Sequence, residues 1–267
     1  MNTTTNGSSC FLPNSSARKI GETFAYCLIF VVSLVGNSFI GIIVYKTQTL
    51  RKPINYFIVN MAMSDLLYPI FFFPRNLTYL YLDNQWLISG PFGQVFCKLV
   101  PFLGDVSSLV SIQSLVLIAV DRFGAVVFPL RSPLISSKLC PFFILATWIV
   151  ALAVLSPYLF AFQIVEDADG VMSCTRLWSE AFGESSSEVN YFLSGFVVFY
   201  YIPTALLIIL YSIIVIKLKT QIFPGEQSNN AEEQRARRNR NVLKMAIAIV
   251  VGFLLCWITD HDLTTVV

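Results

Sequence analysis

Six apolar runs, each long enough or nearly long enough to cross a lipid bilayer, constrain this chain most strongly. A membrane-spanning helix needs about 17–25 mostly apolar residues, so the runs predict six transmembrane helices, numbered in chain order. Hydrophobic residues make up 55% of the chain and charged residues only 13%, about half the charged share of a soluble domain. The sequence therefore predicts an all-α integral membrane protein. The runs cover residues 23–45, 56–73, 99–120, 140–162, 191–216 and 242–258.

The third run is flanked by a cysteine on one side and by a charged motif on the other. As a helix, residues 99–120 would extend about 33 Å, with Cys97 just before the run and Asp121-Arg122-Phe123 just after it. Asp105 lies within the run, and an aspartate inside a membrane helix must face protein or water. We therefore expect helix 3 to be surrounded by other helices. Small and hydroxylated residues, which let helices pack closely in lipid, fall within an arc of about 120°: Gly104, Ser107, Ser108, Ser111 and Ser114.

The distribution of Lys and Arg predicts the sides of the membrane. Basic residues cluster after helices 1, 3 and 5, whereas the loop between helices 4 and 5 has Arg176 among six acidic residues. Cytoplasmic loops are enriched in basic residues, so the pattern predicts an extracellular N-terminus. Three N-x-S/T sequons in the N-terminal tail predict glycosylation there, with an unmodified tail as the alternative. Their asparagines are Asn2, Asn6 and Asn14.

This topology also predicts a disulfide. Cys97 and Cys174 both fall on the extracellular side, where the environment is oxidising and disulfides persist. A bond between them would hold the acidic loop over the end of helix 3. Cys27, Cys140 and Cys256 fall in or beside membrane helices, where we expect them to be packing residues.

The residue inventory excludes several classes of function. The chain has a single histidine, His261, and no nucleotide-binding loop or hydrolase motif, so we expect no metal site, no enzymatic activity and no nucleic-acid partner. A six-helix transporter or channel is the alternative class, because such proteins place charges inside the membrane. However, Asp65, Arg75 and Asp105 form no repeated pattern, and the two halves of the sequence show no duplication.

In the order of the chain, a set of motifs resembles the rhodopsin-like (class A) G-protein-coupled receptors. Asp121-Arg122-Phe123 stands where that family has Asp-Arg-Tyr at the end of helix 3. Pro74, the loop tryptophan Trp86 and the long acidic second loop resemble the neuropeptide-receptor branch. The other matches are Gly36-Asn37, the stretch Asn60 to Leu66, Phe92-Gly93, Cys97, Trp148, Pro157, Pro203, Tyr211, Phe253 and Cys256-Trp257.

The resemblance implies an activity and partners. A class A receptor in the plasma membrane, with its N-terminus outside, binds an extracellular ligand and passes a signal to a heterotrimeric G protein. We expect the ligand to be a peptide, and the acidic loop favours a basic one by electrostatic attraction. Membrane lipids surround such a bundle. No cofactor is implied beyond an allosteric sodium ion.

The resemblance also implies roles for individual residues. Asp65, with Asn37 and Ser111, would form a pocket for water and sodium, and Asp121, Arg122 and Phe123 would form the G-protein-coupling end. Ordinary core packing is the alternative interpretation of Ile112 and Phe253. The implied activation switch comprises Ile112, Pro203, Tyr211, Phe253 and Trp257, and the implied ligand contacts are Gly104, Asp105 and Trp257.

The C-terminal part departs from the family pattern. The family motif continues with a proline two residues after the tryptophan, but Thr259 follows Trp257-Ile258 here, and the sequence ends at Val267 without a seventh helix. We therefore expect an extracellular tail (1–22), a rhodopsin-like bundle of helices 1–6 (23–258) and an atypical tail (259–267) on a truncated receptor. Such a form is expected to be non-signalling or to pair with a full-length receptor.

Overall fold

The structure is a computed structural model that describes residues 15–82, 85–128, 135–167 and 170–220, together with Lys244. The segment of predicted helix 6 (242–258) lies outside the described residues apart from Lys244, as do residues 1–14 and the C-terminal segment 259–267.

Five helices in the described part of the chain are long and apolar enough to span a membrane. They correspond to predicted helices 1–5 and confirm the predicted helical membrane bundle. Two of the five are interrupted within the span, and a third passes through a π-helical turn at Val197–Tyr201. The five spans are α1 (Ser15–Lys46), α2 (Pro53–Asp65) continued by α3 (Leu67–Leu82), α4 (Gly90–Val127), α5 (Cys140–Leu155) continued by α6 (Tyr158–Ala161), and α8 (Glu188–Phe196) continued by α9 (Ile202–Thr220). A short helix, α7 (Trp178–Phe182), lies between the fourth and fifth spans.

The helix α4 lies at the centre of the bundle. In its most apolar stretch 61% of the residues are buried, against 6% for α1. Apolar side chains of α1 such as Phe24, Val32 and Phe39 are exposed, as expected of a surface that faces lipid. The predicted polar face of α4 is buried at Ser107, Ser111 and Ser114, because neighbouring helices pack against it.

Several helices extend beyond the apolar runs that predicted them. The helix α1 begins at Ser15 rather than near residue 23, and an ion pair of 3.3 Å between Arg18 and Glu22 spans one turn of this extension. The helix α4 begins at Gly90, so Cys97 lies within its first turns and not before its start. Apolarity marks the part of a helix in the bilayer, whereas a helix continues until its backbone pattern is broken.

Two prolines account for local breaks in the helices. Pro69 has no N–H to donate to the carbonyl of Asp65, and α2 ends at Asp65 with a turn at Leu66 before α3 begins. Pro203 similarly cannot bond to the preceding turn, and the π-helical turn Val197–Tyr201 lies just before it. Such turns relieve an interrupted hydrogen-bond ladder.

The loop between α6 and α7 contains a β-hairpin that was not predicted from the sequence. Strand β1 (Phe162–Glu166) pairs antiparallel with β2 (Met172–Arg176), and Ile164 lies opposite Cys174. Strand β1 breaks the alternation of apolar and polar residues at Ile164-Val165, which leaves only a weak strand signal in the sequence. Their placement depends instead on contacts with α4.

Candidate functional site

One end of the bundle, here called the disulfide end, is closed by the β-hairpin. Cys97 of α4 and Cys174 of β2 form a disulfide across 77 residues of sequence, which confirms the predicted pair. Gln94 adds two hydrogen bonds: the backbone N–H of Ile164 donates to its side-chain oxygen (3.1 Å), and its amide donates to the carbonyl of Phe162 (3.4 Å). These bonds fix β1 and β2 against α4.

A polar cluster lies beneath the hairpin. The hydroxyl of Tyr158 on α6 is hydrogen-bonded to Asp105 of α4, and Arg176 of β2 lies near the same hydroxyl. Arg176 forms an ion pair of 2.5 Å with Glu188, and its guanidinium lies 4.2 Å from the centre of the Phe192 ring. Asp105 therefore faces protein, as its position in a membrane helix requires.

Gly104, a predicted ligand contact, lies at a close helix–helix contact. Its Cα is buried on α4, and a Cβ built there would lie 1.7 Å from a ring carbon of Phe72 on α3. The absence of a side chain therefore lets the Phe72 ring rest directly on the α4 backbone. The structure places Gly104 in this contact and Asp105 in the polar cluster under the hairpin.

Midway along the bundle, Asp65 and Ser111 come together. The hydroxyl of Ser111 donates to the Asp65 carboxylate and lies 2.9 Å from the hydroxyl of Ser64, which is fully buried. Asn37, the third residue of the predicted sodium pocket, donates to the hydroxyl of Ser33 on its own helix at 3.1 Å. Among the described contacts, Asp65 is therefore joined to Ser111 but not to Asn37.

A hydrogen-bonded junction at Asn60 was not predicted from the sequence. Its amide donates to Ser114 (2.9 Å) and Thr147 (3.3 Å), and it accepts a bond of 2.8 Å from the indole N–H of Trp148. The bonds connect α2, α4 and α5 in the interior. A tryptophan in a membrane helix needs an acceptor for its N–H, which was the available signal, but a sequence alone does not say which of several polar residues supplies it.

The opposite end, here called the Arg122 end, carries the predicted charged motif. Arg122 donates to the Asp121 carboxylate at 2.6 Å, and both side chains are largely buried. The buried Tyr211 of α9 packs with Leu115 and lies near Arg122. Within the described residues, neither the Tyr211 hydroxyl nor the Nε of Arg122 has a hydrogen-bond partner.

The remaining predicted site residues fall into two groups. Ile112 is fully buried in the core beneath the hairpin. Phe123 packs against the buried cluster that contains Leu115 and Tyr211, and Pro203 lies in the first turn of α9. The second group, which comprises Phe253, Trp257, Asn2, Asn6 and Asn14, lies outside the described residues.

The fold and these sites define a multi-pass helical membrane protein whose central helix joins a disulfide-tied end to a charged end. Residues 36–266 match the 7 transmembrane receptor (rhodopsin family). The chain belongs to this family.

Several curated relatives are similar over most of the chain. The RYamide receptor of Drosophila melanogaster is 33% identical over 255 residues, which cover 92% of this chain and 52% of that receptor. The QRFP-like peptide receptor of Branchiostoma floridae is 32% identical, with 90% and 62% covered, and the substance-K receptor of Homo sapiens is 30% identical, with 89% and 58% covered. The chain thus spans only about half to three fifths of the length of these relatives.

Proposed function

We propose that this chain is a plasma-membrane receptor that binds an extracellular peptide at the disulfide end and activates a heterotrimeric G protein at the Arg122 end. A guanine-nucleotide exchange assay decides between this activity and the non-signalling form that the sequence led us to expect. The observation that carries this proposal is the helix α4, whose two ends are built differently. One end is tied to an acidic hairpin, and the other holds a largely buried arginine paired with its neighbouring aspartate. With the N-terminus outside, the hairpin meets the ligand and Arg122 meets the cytoplasm.

The ligand is a basic peptide. Relatives at 30% identity or more are named as receptors for RYamide, QRFP-like peptide and substance K, which supports the peptide class. The hairpin and the segment after it, which includes α7, expose four carboxylates: Glu166, Asp167, Glu180 and Glu184. Complementary charge raises the rate of encounter and disfavours acidic partners.

Signalling at the Arg122 end is a shift between two packings of the helices. Breaking the pair of Arg122 with Asp121 frees a guanidinium that has five N–H donors. The buried Tyr211 hydroxyl of α9, which has no hydrogen-bond partner among the described residues, would accept a hydrogen bond from the released arginine. The G protein then contacts the exposed arginine and the basic segment after α9.

A sodium ion at Asp65 would favour the resting packing. The Asp65 carboxylate and the hydroxyls of Ser64 and Ser111 supply a cluster of oxygen atoms, the ligand type that hard cations prefer. The described residues fit such an ion with Asp65 and Ser111, and Asn37 would join them by exchanging its bond to Ser33.

A panel of matched peptides tests the function. Each labelled peptide containing Arg or Lys is paired with a peptide of the same sequence in which citrulline or norleucine replaces the basic residue, and both binding and guanine-nucleotide exchange are measured on cells that express the chain. We expect the basic member to bind better and to stimulate exchange. Arg122→Ala should retain binding and lose exchange, whereas Arg51→Ala, in the exposed turn after α1, should retain both. Equal binding of the paired peptides would contradict a basic ligand. Ligand-dependent flux of a solute or ion without guanine-nucleotide exchange would contradict the receptor function and favour a transporter or channel.

A further inference from the structure

Arg75 is an intramembrane cation that neither the sequence motifs nor the proposed coupling end accounts for. It lies in α3, seven residues and therefore about 10 Å from the end of that helix at Leu82. The segment that follows α3 is tied to the hairpin by a bond of 2.7 Å from the N–H of Trp86 to the carbonyl of Met172. Arg75 therefore belongs to the disulfide half of the bundle.

The side of α3 that carries Arg75 faces the bundle interior. Tyr68, Phe72, Arg75 and Tyr79 fall within an arc of about 60° on the helix, and all four are half-buried. Phe72 rests on Gly104 of α4, which directs this stripe toward the central helix. Residues on the opposite side of α3 are exposed, namely Ile70, Pro74 and Tyr81.

The guanidinium of Arg75 is held in place by aromatic side chains. It lies 5.0 Å from the ring centre of Tyr79 and 5.7 Å from that of Phe72, and it donates a hydrogen bond of 3.0 Å to the Tyr79 hydroxyl. Tyr68 stacks on Phe72 at 4.8 Å and continues the stripe. Aromatic faces stabilise a cation without neutralising it, and they leave most of its five N–H donors for another partner.

No carboxylate in the described ranges lies within ion-pair distance of Arg75. The three ion pairs there join Arg18 to Glu22, Arg122 to Asp121, and Arg176 to Glu188. A charge inside a membrane bundle is costly unless it is paired or used. A planar guanidinium with fixed donors matches a carboxylate through two parallel bonds.

We infer that Arg75 and its aromatic stripe form the site that receives a carboxylate of the peptide ligand. This inference rests on the proposed peptide receptor and adds a second recognition point to it. The acidic hairpin attracts the basic part of the peptide, and Arg75, deeper in the same half, binds its acidic group. The carboxylate comes from the C-terminus of the peptide or from an acidic side chain.

Benzoate is the probe that tests Arg75 without a known ligand. It offers a carboxylate and a ring that can stack on Tyr68, Phe72 or Tyr79, and benzamide is its neutral counterpart. The full chain in lipid nanodiscs is titrated with each compound at constant ionic strength, and the midpoint of thermal unfolding is followed. We expect benzoate but not benzamide to raise the midpoint. The apparent affinity for benzoate should fall at least about tenfold in Arg75→Gln and less in Arg75→Lys, because a charge-assisted bond accounts for that much.

The matched control is Arg18→Gln, which removes an exposed arginine on α1 and should leave the benzoate response unchanged. If Arg75→Gln responds to benzoate as the original chain does, or if benzamide stabilises the chain equally, the site is overturned. Should Arg75→Gln not fold, Arg75→Lys and the comparison of benzoate with benzamide on the original chain decide the question.

Peptides that bind in the panel identify the source of the carboxylate. Each is prepared with a free C-terminus and with a C-terminal amide, and separately with Glu or Asp replaced by its amide. We expect one of these changes to weaken binding at least about tenfold in the original chain and to have no effect in Arg75→Gln. If neither change matters in the original chain, the inference fails while the peptide receptor stands. If no peptide binds, the proposed function fails while benzoate still decides the role of Arg75.

Discussion

At the scale of single residues, Gly104 sets how closely α3 approaches α4. Gly104→Ala would place a methyl group 1.7 Å from the Phe72 ring, so the ring or the helix must move. We expect a loss of about 1–3 kcal/mol in stability, the usual cost of overpacking, seen as a lower midpoint of thermal unfolding in detergent. Gly41→Ala is the control, because nothing lies within 4 Å of its added Cβ. An unchanged midpoint for Gly104→Ala would show that α3 can shift to make room for the methyl group without a loss of stability.

Asp65 and Ser111 make a second prediction at this scale. If sodium binds at Asp65, replacing potassium with sodium should raise the unfolding midpoint, and Asp65→Asn should abolish the difference. At sodium concentrations 100 times the dissociation constant the stabilisation is about 2.7 kcal/mol. Ser33→Ala, which removes only the partner of Asn37, should keep most of the sodium response. A response that survives in Asp65→Asn would place the ion elsewhere.

The sequence predicted side-chain pairs where the motif or the topology named both partners. Cys97 and Cys174 pair as expected, and Arg122 lies beside Asp121. The partner of a polar side chain was harder to predict, because several neighbours compete for it: Asn37 bonds to Ser33 instead of to Asp65. The sequence identifies Arg75 as a charged residue within a membrane helix. Only the contact between Phe72 and Gly104 shows that its side of α3 faces the central helix α4.

At the scale of elements, the disulfide is the main anchor of the β-hairpin. The double variant Cys97→Ser, Cys174→Ser opens a loop of 77 residues, and chain-entropy arguments assign about 4.5 kcal/mol to its closure. Gln94→Ala removes only two hydrogen bonds, at about 1 kcal/mol each. We therefore expect thermal unfolding to shift further in the double variant than in Gln94→Ala. Equal shifts would mean that the backbone contacts of the hairpin hold it without the disulfide.

The five described spans were predictable in number and order but not in their ends, and the β-hairpin was not predicted. Apolar runs located all five described spans, since the bilayer requires about 20 apolar residues per helix. They did not show that α1 continues outward to Ser15 or α4 to Gly90, because polar residues extend a helix equally well outside lipid. The break at Leu66 and the turn Val197–Tyr201 depend on how neighbouring helices accommodate Pro69 and Pro203, which local sequence does not specify.

At the scale of the whole molecule, an odd number of spans separates the turn after α1 from the loop after α7. Three spans lie between Gln48 and Gly183, so these two exposed sites must open on opposite sides of the membrane. Basic residues flank the first, at Lys46, Arg51 and Lys52, so the positive-inside rule predicts that this site lies in the cytoplasm.

Epitopes inserted at the two sites test this orientation. An epitope after Gly183, where the backbone is exposed and open, should be stained on intact cells, and an epitope at Gln48 only after permeabilisation. An N-terminal epitope should behave like the one at Gly183. The reverse pattern would put Cys97 and Cys174 in the reducing cytosol, where disulfides rarely persist, and would turn the acidic hairpin away from any extracellular peptide. The reverse orientation would therefore also contradict the proposed peptide-binding role of the disulfide end.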